Sequence, residues 1–459
     1  MKTQSPPIVS LQAPKDVSIS EIEAELSKIW QSYGVAGNKG AVPVATRATT
    51  FSLVVYEPEE TQQILTDLGF YSGPIDGIPG PRTAAALREA QKSYGLRVTG
   101  EASAETLAKL REEIAKSHAN ANNGGDNSTT GMTYALDMRS PTIADEIATR
   151  NPCRIIALCP VAGEDEGVAA QVSAYCPIKK HSSTTLVCCE YITLKGTVAA
   201  LERVGGMVAN LLIGGLPKFL WWKATPDANN DLFKKLASVC DSVVVDSSRF
   251  SDPQIDLLSV QDLLEASTPI VDLNWRRLSS WQELTAETFD PPERRAALKE
   301  VDRVTIDYEK GNPAQALMFL GWLASRLQWR PTQFEQEGGD YDLKRIRFVG
   351  EDQRQVEAEL AGVPTADLGG IPGDLVALRL NSTNPQADCC TVLCSETTGC
   401  MRMESGGGAQ SCRFQQVSPP SDQKAELLLS QQLQRWGREP LFEEGLAVTA
   451  QILRLATGE

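Results

Sequence analysis

The stretch T-L-V-C-C-E-Y-I-T-L-K-G-T-V-A-A-L-E-R-V-G-G-M-V-A-N-L-L-I-G-G-L-P-K-F-L-W-W, residues 185–222, decides the fold class. Its first ten residues are a β-type run, and its last five, Lys218–Trp222, are a second, shorter apolar run. Between them Thr197–Leu212 carries apolar residues at helical spacing, so the segment reads strand, helix, strand. The rhythm extends both ways. Cys153–Leu158 is a strand upstream. Downstream come a helix at Asn230–Val239, a strand at Ser242–Val245, a helix at Leu258–Glu265 and a short strand at Ile270–Leu273. This alternation predicts an α/β fold with a mostly parallel sheet covered by helices.

Upstream of that block, residues 1–19 are rich in Pro, Ser and Gln and read as a loose lead-in. An amphipathic helix follows at Ser20–Tyr33, and F-S-L-V-V-Y, Phe51–Tyr56, is a strand. Residues 59–113 form a unit of their own with three short helices. Gly69 stops the first, Pro81 starts the second, and Ser103 caps the third. P-I-D-G-I-P-G-P-R-T echoes R-V-T-G-E-A-S-A-E-T, and the unit resembles the peptidoglycan-binding-like fold. Residues 114–132, which include H-A-N-A-N-N-G-G-D-N-S-T-T-G-M, read as a flexible linker.

Downstream, Pro313–Gln328 is a strong helix. From about Tyr341 the character changes to antiparallel strands: K-R-I-R-F-V, D-L-V-A-L-R-L, C-C-T-V-L-C and G-C-M-R-M-E-S. Helices at Asp422–Arg435 and Pro440–Leu455 close the chain. Residues 301–459 are therefore expected as a mixed α+β domain, with 133–300 as the main α/β part.

The 459 residues carry 59 acidic and 44 basic side chains, a formal charge of −15 that opposes nucleic acid and anionic membrane. No apolar run of about eighteen residues is present to span a bilayer. The opening M-K-T-Q-S-P-P does not read as a signal peptide, so a cytoplasmic setting is expected. With two histidines, His118 and His181, histidine-based metal sites and catalytic triads are poorly supported.

Five of eleven cysteines crowd into Cys389, Cys390, Cys394, Cys400 and Cys412. In a reducing compartment such a cluster points to metal, reactivity or redox sensing rather than to structural disulfides. The loop Ser-Glu-Thr-Thr-Gly between Cys394 and Cys400 is short enough for a modest, reducible disulfide, with Cys389, Cys390 and Cys412 as neighbouring thiols. A four-thiolate site on Cys390, Cys394, Cys400 and Cys412 fits no strong metal signature. Buried, incidental thiols are the third reading.

Other candidates are weaker. Cys153, Cys159 and Cys176 flank prolines, and catalysis there would need His181 to fold back as base, so structural use is expected. Gly205-Gly206 and Gly214-Gly215 do not form a dinucleotide fingerprint. Two readings compete for Trp221, Trp222 and Lys223: a stacking platform, or tryptophans packed beneath helices. Arg249 lies beyond one strand end, and Trp275, Arg276, Arg277 and Trp281 at the next. Arg with Trp makes an interface anchor plausible, with core packing plus surface ion pairs as the even alternative. Trp322 and Trp329 read as core or domain-interface residues. No catalytic residue, cofactor or metal is expected.

Together N-P-C-R-I-I-A-L-C-P, C-C-E-Y-I-T-L-K-G, L-P-K-F-L-W-W-K-A-T-P-D, V-V-V-D-S-S-R-F, D-L-N-W-R-R-L-S-S-W-Q-E and G-W-L-A-S-R-L-Q-W resemble the OpcA family of glucose-6-phosphate dehydrogenase assembly proteins. The form resembled is the cyanobacterial one, which carries the peptidoglycan-binding-like unit. The resemblance implies a non-catalytic partner that assembles or allosterically activates glucose-6-phosphate dehydrogenase in the oxidative pentose phosphate pathway, under thioredoxin control. It places the redox switch on Cys394 and Cys400. It also makes residues 20–58 the first part of the α/β domain, with the helical unit inserted. The rival readings are a peptidoglycan-directed or thiol-dependent enzyme and a metal-stabilised scaffold.

Overall fold

The computed structural model describes residues 8–34, 44–73, 75, 80–122, 147, 152–177, 185–364, 371–396, 400–405, 414–418 and 425–458, save positions 48, 385, 388 and 436. The chain divides into two compact units, Met1–Val245 with Leu429–Gly437, and Asp246–Leu428 with Arg438–Glu459. That division lies upstream of the 300/301 boundary expected from composition.

In the first unit the strands are β1 (Ile8–Val17), β2 (Val44–Arg47), β3 (Ser52–Tyr56), β4 (Arg154–Pro160), β5 (Ala169–Pro177), β6 (Thr185–Gly196), β7 (Lys218–Trp222) and β8 (Ser242–Val245). They are ordered β1-β5-β6-β4-β3-β7-β8, with β2 beside β6. From β6 through β8 all pairs are parallel. Every residue of β3 and β4 is buried, as expected for parallel strands covered on both faces. Residues 8–17, expected as a loose lead-in, instead form β1, antiparallel to β5. Pro14 is tolerated there because β1 is the edge strand and its missing N–H breaks no inner ladder.

Helix α1 (Ile22–Gly34) follows β1. The inserted unit, between β3 and β4, contains α2 (Glu60–Asp67), α3 (Pro81–Ser93) and α4 (Ala104–Asn122). Its small core is Ile64, Leu65, Tyr71, Ala86, Leu87, Ala90 and Leu110. The buried Gln91 amide accepts the N–H groups of Thr99 and Gly100 and donates to Thr106 Oγ1 and Glu101 O, pinning the turn before α4. Ser103 caps α4 through the Thr106 N–H at 3.3 Å. That helix runs on to Asn122, so the expected linker begins inside it, where Lys116 pairs with Glu113 at 2.8 Å. Residues 123–132 of the linker lie outside the described residues. Parallel crossovers are made by α5 (Val198–Asn210) between β6 and β7 and α6 (Asp231–Ala237) between β7 and β8.

The second unit begins with α7 (Pro253–Glu265), β9 (Ile270–Asp272), α8 (Leu273–Arg277), α9 (Ser279–Phe289) and α10 (Pro292–Leu298). It is built on eight strands: β10 (Arg303–Glu309), β11 (Arg330–Glu337), β12 (Leu343–Val349), β13 (Gln355–Val363), β14 (Leu375–Asn381), β15 (Thr391–Glu396), β16 (Cys400–Ser405) and β17 (Phe414–Ser418). Their order is β11-β12-β13-β10-β14-β15-β16-β17, and only β10 and β13 are paired in parallel. Helix α11 (Ala314–Arg326) is buried along residues 314–324. The chain ends in α12 (Ala425–Gln432) and α13 (Pro440–Thr457). A Cβ on Gly321 would collide with Thr449 Oγ1 and meet Gly445 O at 2.5 Å, so α11 and α13 cross at backbone contact. No described helix is long and apolar enough to cross a membrane.

Candidate regulatory hairpin and interface residues

The cysteine-rich segment is an antiparallel hairpin, as its alternation with Gly-bearing turns suggests. Glu396 lies opposite Cys400, and Cys394 opposite Arg402. On its other side Cys394 faces Ala377 of β14, so it sits in an inner strand. The Cα atoms of Cys394 and Cys400 are thus diagonal neighbours across the hairpin, offset by two residues. Their side chains, and Cys412 altogether, lie outside the described residues. Cys389 and Cys390 are free thiols just before β15, the first buried and the second partly exposed. Burial pushes the Cys389 thiol up to about 11, so it stays protonated at neutral pH.

Of the eight residues weighed as possible interface residues, five are buried: Trp221, Trp222, Trp275, Arg277 and Trp281. Trp222 stacks on Tyr56 at 3.8 Å between ring centroids and donates its indole N–H to Thr225 O. Trp275 packs against Phe442 and donates to Glu439 Oε1 at 3.2 Å. For these five, burial favours the core-packing alternative over presentation to a partner. Tyr56 and Phe442, remote in sequence, pack on Trp222 and Trp275, which local composition does not reveal. The surface is left to Arg249, which is exposed, and to Lys223 and Arg276, which are partly exposed. Arg276 pairs with Glu439 at 3.0 Å.

Arg277 instead belongs to a buried polar cluster at the start of the second unit. Its Nη1 and Nη2 donate to Asp246 Oδ1 and Oδ2 at 2.7 and 2.8 Å. Asp246 also accepts Ser248 Oγ–H at 2.6 Å. Asn274 donates to Ser247 Oγ and accepts from Gln315, while Asn312 donates to the carbonyls of Ser247 and Ser248. Burial alone would raise the Asp246 carboxyl, but the Arg277 charge and its hydrogen bonds outweigh it and hold it near 2. Asp272 feels the Arg277 charge from farther off, without a salt bridge to it among those of the described residues. Burial, with the Asp246 charge adding to it, pushes its carboxyl up to about 6, although it accepts the N–H groups of Ser247 and Asn274. The strand-end motifs singled out from sequence thus converge on one internal brace.

In the first unit the chain runs from β3 outward to β4 and β6, then crosses back through α5 to β7 and β8. Its direction reverses between β3 and β7, the place where doubly wound sheets open a crevice for a nucleotide. Here that place is occupied. Glu57, directly after β3 and buried, accepts Lys223 Nζ, directly after β7, at 2.7 and 2.9 Å. The next helix starts with more acid: Glu59 caps α2, and Glu60 pairs with Arg111, whose Nη2 also donates to Ala162 O at 3.2 Å. A pyrophosphate needs free N–H groups and a close glycine backbone at this point. Carboxylates and an ion pair offer the reverse, so these residues do not fit a dinucleotide. His118 and His181 have side chains outside the described residues. Among the described residues no group of three His, Cys, Asp or Glu side chains is placed to hold a metal.

Comparison with known proteins falls on the same architecture. Two family models describe the N-terminal and the C-terminal domain of a glucose-6-phosphate dehydrogenase subunit. Residues 144–262 match the first and residues 268–446 the second. Residues 56–110 match "Putative peptidoglycan binding domain". The curated "Putative OxPP cycle protein OpcA" of Nostoc punctiforme is 68% identical over 457 residues, 99% of this chain and 97% of that one. Its Synechocystis namesake is 54% identical over 454 residues, covering 99% and 95%. The Synechococcus elongatus protein of that name is 52% identical over 456 residues, 99% of each chain.

Proposed function

Because this chain belongs to the OpcA family of glucose-6-phosphate dehydrogenase assembly proteins, we propose that it is a redox-responsive allosteric activator of that dehydrogenase. It works in the oxidative pentose phosphate pathway of the cytoplasm, and thioredoxin reduces it. The observation that carries this reading is the match of both dehydrogenase-related domain models, together spanning residues 144–446 with a short gap, within a full-length family resemblance.

Mechanistically, the chain docks on the dehydrogenase and favours its conformation of high affinity for glucose 6-phosphate. A partner shifts such an equilibrium only by binding one state better than the other. Lys223, Arg249 and Arg276 are the interface candidates that retain solvent access. The inserted helical unit acts as a protein-contact or spacer module.

The switch is the pair Cys394 and Cys400. Diagonal neighbours in a hairpin have Cβ atoms about 7 Å apart, whereas a disulfide needs about 4 Å. Making or breaking the bond therefore shifts the pairing at the end of β15 and β16. A local change of pairing in an inner strand alters the surface its neighbours present to a partner.

The experiment is dehydrogenase activity against glucose 6-phosphate concentration, with the chain added reduced by thioredoxin or oxidised. A lowered half-saturation in one redox form and less effect in the other is expected. Unchanged half-saturation, maximal rate and oligomeric state with both forms would overturn the reading.

A further inference from the structure

A second sulfur pair lies in the other unit, far along the chain from the cysteine-rich hairpin. Arg154 of β4 stands opposite Glu190 of β6, which puts Cys153 and Cys189 opposite each other one step earlier in the same ladder. The Cys153 N–H donates to Cys189 Sγ at 3.4 Å, and Glu190 N–H donates to Cys153 O at 3.2 Å. Neither sulfur is in a disulfide, and both residues are buried. Cys188, the neighbouring residue on β6, is already disulfide-bonded. Neighbouring strands lie about 4.8 Å apart, inside the Cα separation of about 4.4–6.8 Å that a disulfide spans.

The two sulfurs are not equivalent. The Cys153 thiol donates to Cys189, and that hydrogen bond outweighs burial and lowers the Cys189 pKa. Burial, with the bond to Cys189, raises that of Cys153. One member is thus the better nucleophile, and the other is held against it as a resolving thiol. Burial restricts access, but the pair is at the start of β4, next to the partly exposed Pro152.

We infer that Cys153 and Cys189 form a redox-active dithiol site, distinct from the hairpin cysteines, whose substrate is a low-molecular-weight disulfide. The Cys189 thiolate attacks one sulfur of glutathione disulfide, expelling one glutathione thiolate and leaving a mixed disulfide. The Cys153 thiol gives its proton to the departing thiolate and attacks Cys189 Sγ, expelling the second glutathione. Two electrons pass from the protein dithiol to the small disulfide, which leaves as one thiol carrying the Cys153 proton and one thiolate that takes a proton from water, and one Cys153–Cys189 bond remains.

The bond forms next to a brace. Arg154 Nε donates to Glu190 Oε2 at 2.7 Å and Nη1 to Leu211 O at 2.8 Å, and Arg154 also grips Glu23 of α1. Trp30 of α1 donates its indole N–H to Glu190 Oε1 at 2.6 Å. Drawing Cys153 toward Cys189 moves the two residues that anchor α1, so Trp30 reports on the oxidation.

The test uses the full chain equilibrated in glutathione buffers of graded ratio, acid-quenched, alkylated and cut with trypsin. Cys153 leaves in the short peptide 151–154 and Cys189 in peptide 181–195, so their linkage is read by mass, and fragment ions separate Cys189 from Cys188. Expected are loss of alkylated 151–154 in oxidising buffer, its appearance bonded through Cys189, its return on reduction, and a parallel shift in Trp30 emission. The linkage should persist in a Cys394→Ser/Cys400→Ser chain. Cys153 alkylated at every ratio, or bonded to any cysteine other than Cys189, would overturn the inference. The wild-type mapping needs no variant, so misfolding of a Cys→Ser chain cannot mask the result.

Discussion

Arg277 and Asp246 meet through two parallel hydrogen bonds, at 2.7 and 2.8 Å, with both side chains nearly removed from solvent. A guanidinium and a carboxylate held in this way depend on each other, because either alone would be an uncompensated buried charge. Arg277→Met should therefore lower unfolding free energy by about 3–5 kcal/mol. The double change Asp246→Asn/Arg277→Met should lose clearly less than Arg277→Met alone. Urea unfolding of the three proteins checks this, and an equal loss in the single and double variants would count against the pair as the cause.

Asp272 carries the opposite sign. Its folded pKa of about 6 is above the ordinary carboxylate value, so it favours the folded state below pH 4, and that contribution fades as pH rises through 6. The span corresponds to roughly 3 kcal/mol. Asp246, held near 2, acts the other way and contributes above its unfolded value, losing that contribution only in strong acid. Asp272→Asn keeps an acceptor for Ser247 and Asn274 but does not titrate. Thermal scans from pH 4 to 8 should show a flatter profile for the variant, which should be at least as stable as the parent at pH 7–8.

Gly321→Ala tests the crossing of α11 and α13. The new methyl would need space held by Thr449 Oγ1 and Gly445 O. Since Thr449 Oγ1 is engaged with Leu317 O and Gly445 O, it has little freedom to yield. A loss of about 1–3 kcal/mol is expected from overpacking, although alanine is the better helix former. Denaturant titration decides the sign.

Cys394→Ser should remove the difference in activation between the reduced and the oxidised chain. Cys389→Ser should not, because it lies outside the proposed pair and its thiol stays protonated at neutral pH. Dehydrogenase half-saturation measured with each variant in both redox states separates them.

Arg249→Ala should weaken the dehydrogenase complex more at low salt than at high salt, as rim charges act through steering and screening. Trp281→Phe, altering a buried side chain, should change thermal stability and leave the salt dependence of binding as it was. Binding isotherms at two ionic strengths make the comparison.

The parallel sheet was legible because β3, β7 and β8 are buried on both faces and therefore read as continuous apolar runs. The same logic failed at β1, where Lys, Gln and Pro on an edge strand resembled a tail, and at β13. There Q-V-E-A-E-L-A-G-V alternates buried and partly exposed positions, but Glu and Ala are helix formers by composition. Trp275 illustrates the limit for sites. Its Arg neighbours marked a surface, whereas Phe442 and Glu439, far along the chain, are what enclose it. The Cys153–Cys189 pair was invisible for a related reason, since it depends on the register of two strands rather than on any spacing in the sequence.

The inserted helical unit also dictates an order of events as the chain is made. β3 is the central strand of its sheet, yet both of its partners, β4 and β7, are encoded after the insertion. While the ribosome passes through α2, α3 and α4, β3 has no mate. Those helices close on their own short-range contacts, as local folds do quickly. The module is therefore complete before the sheet it interrupts can begin, and it tethers an unpaired apolar strand through the interval when such strands are most prone to aggregate.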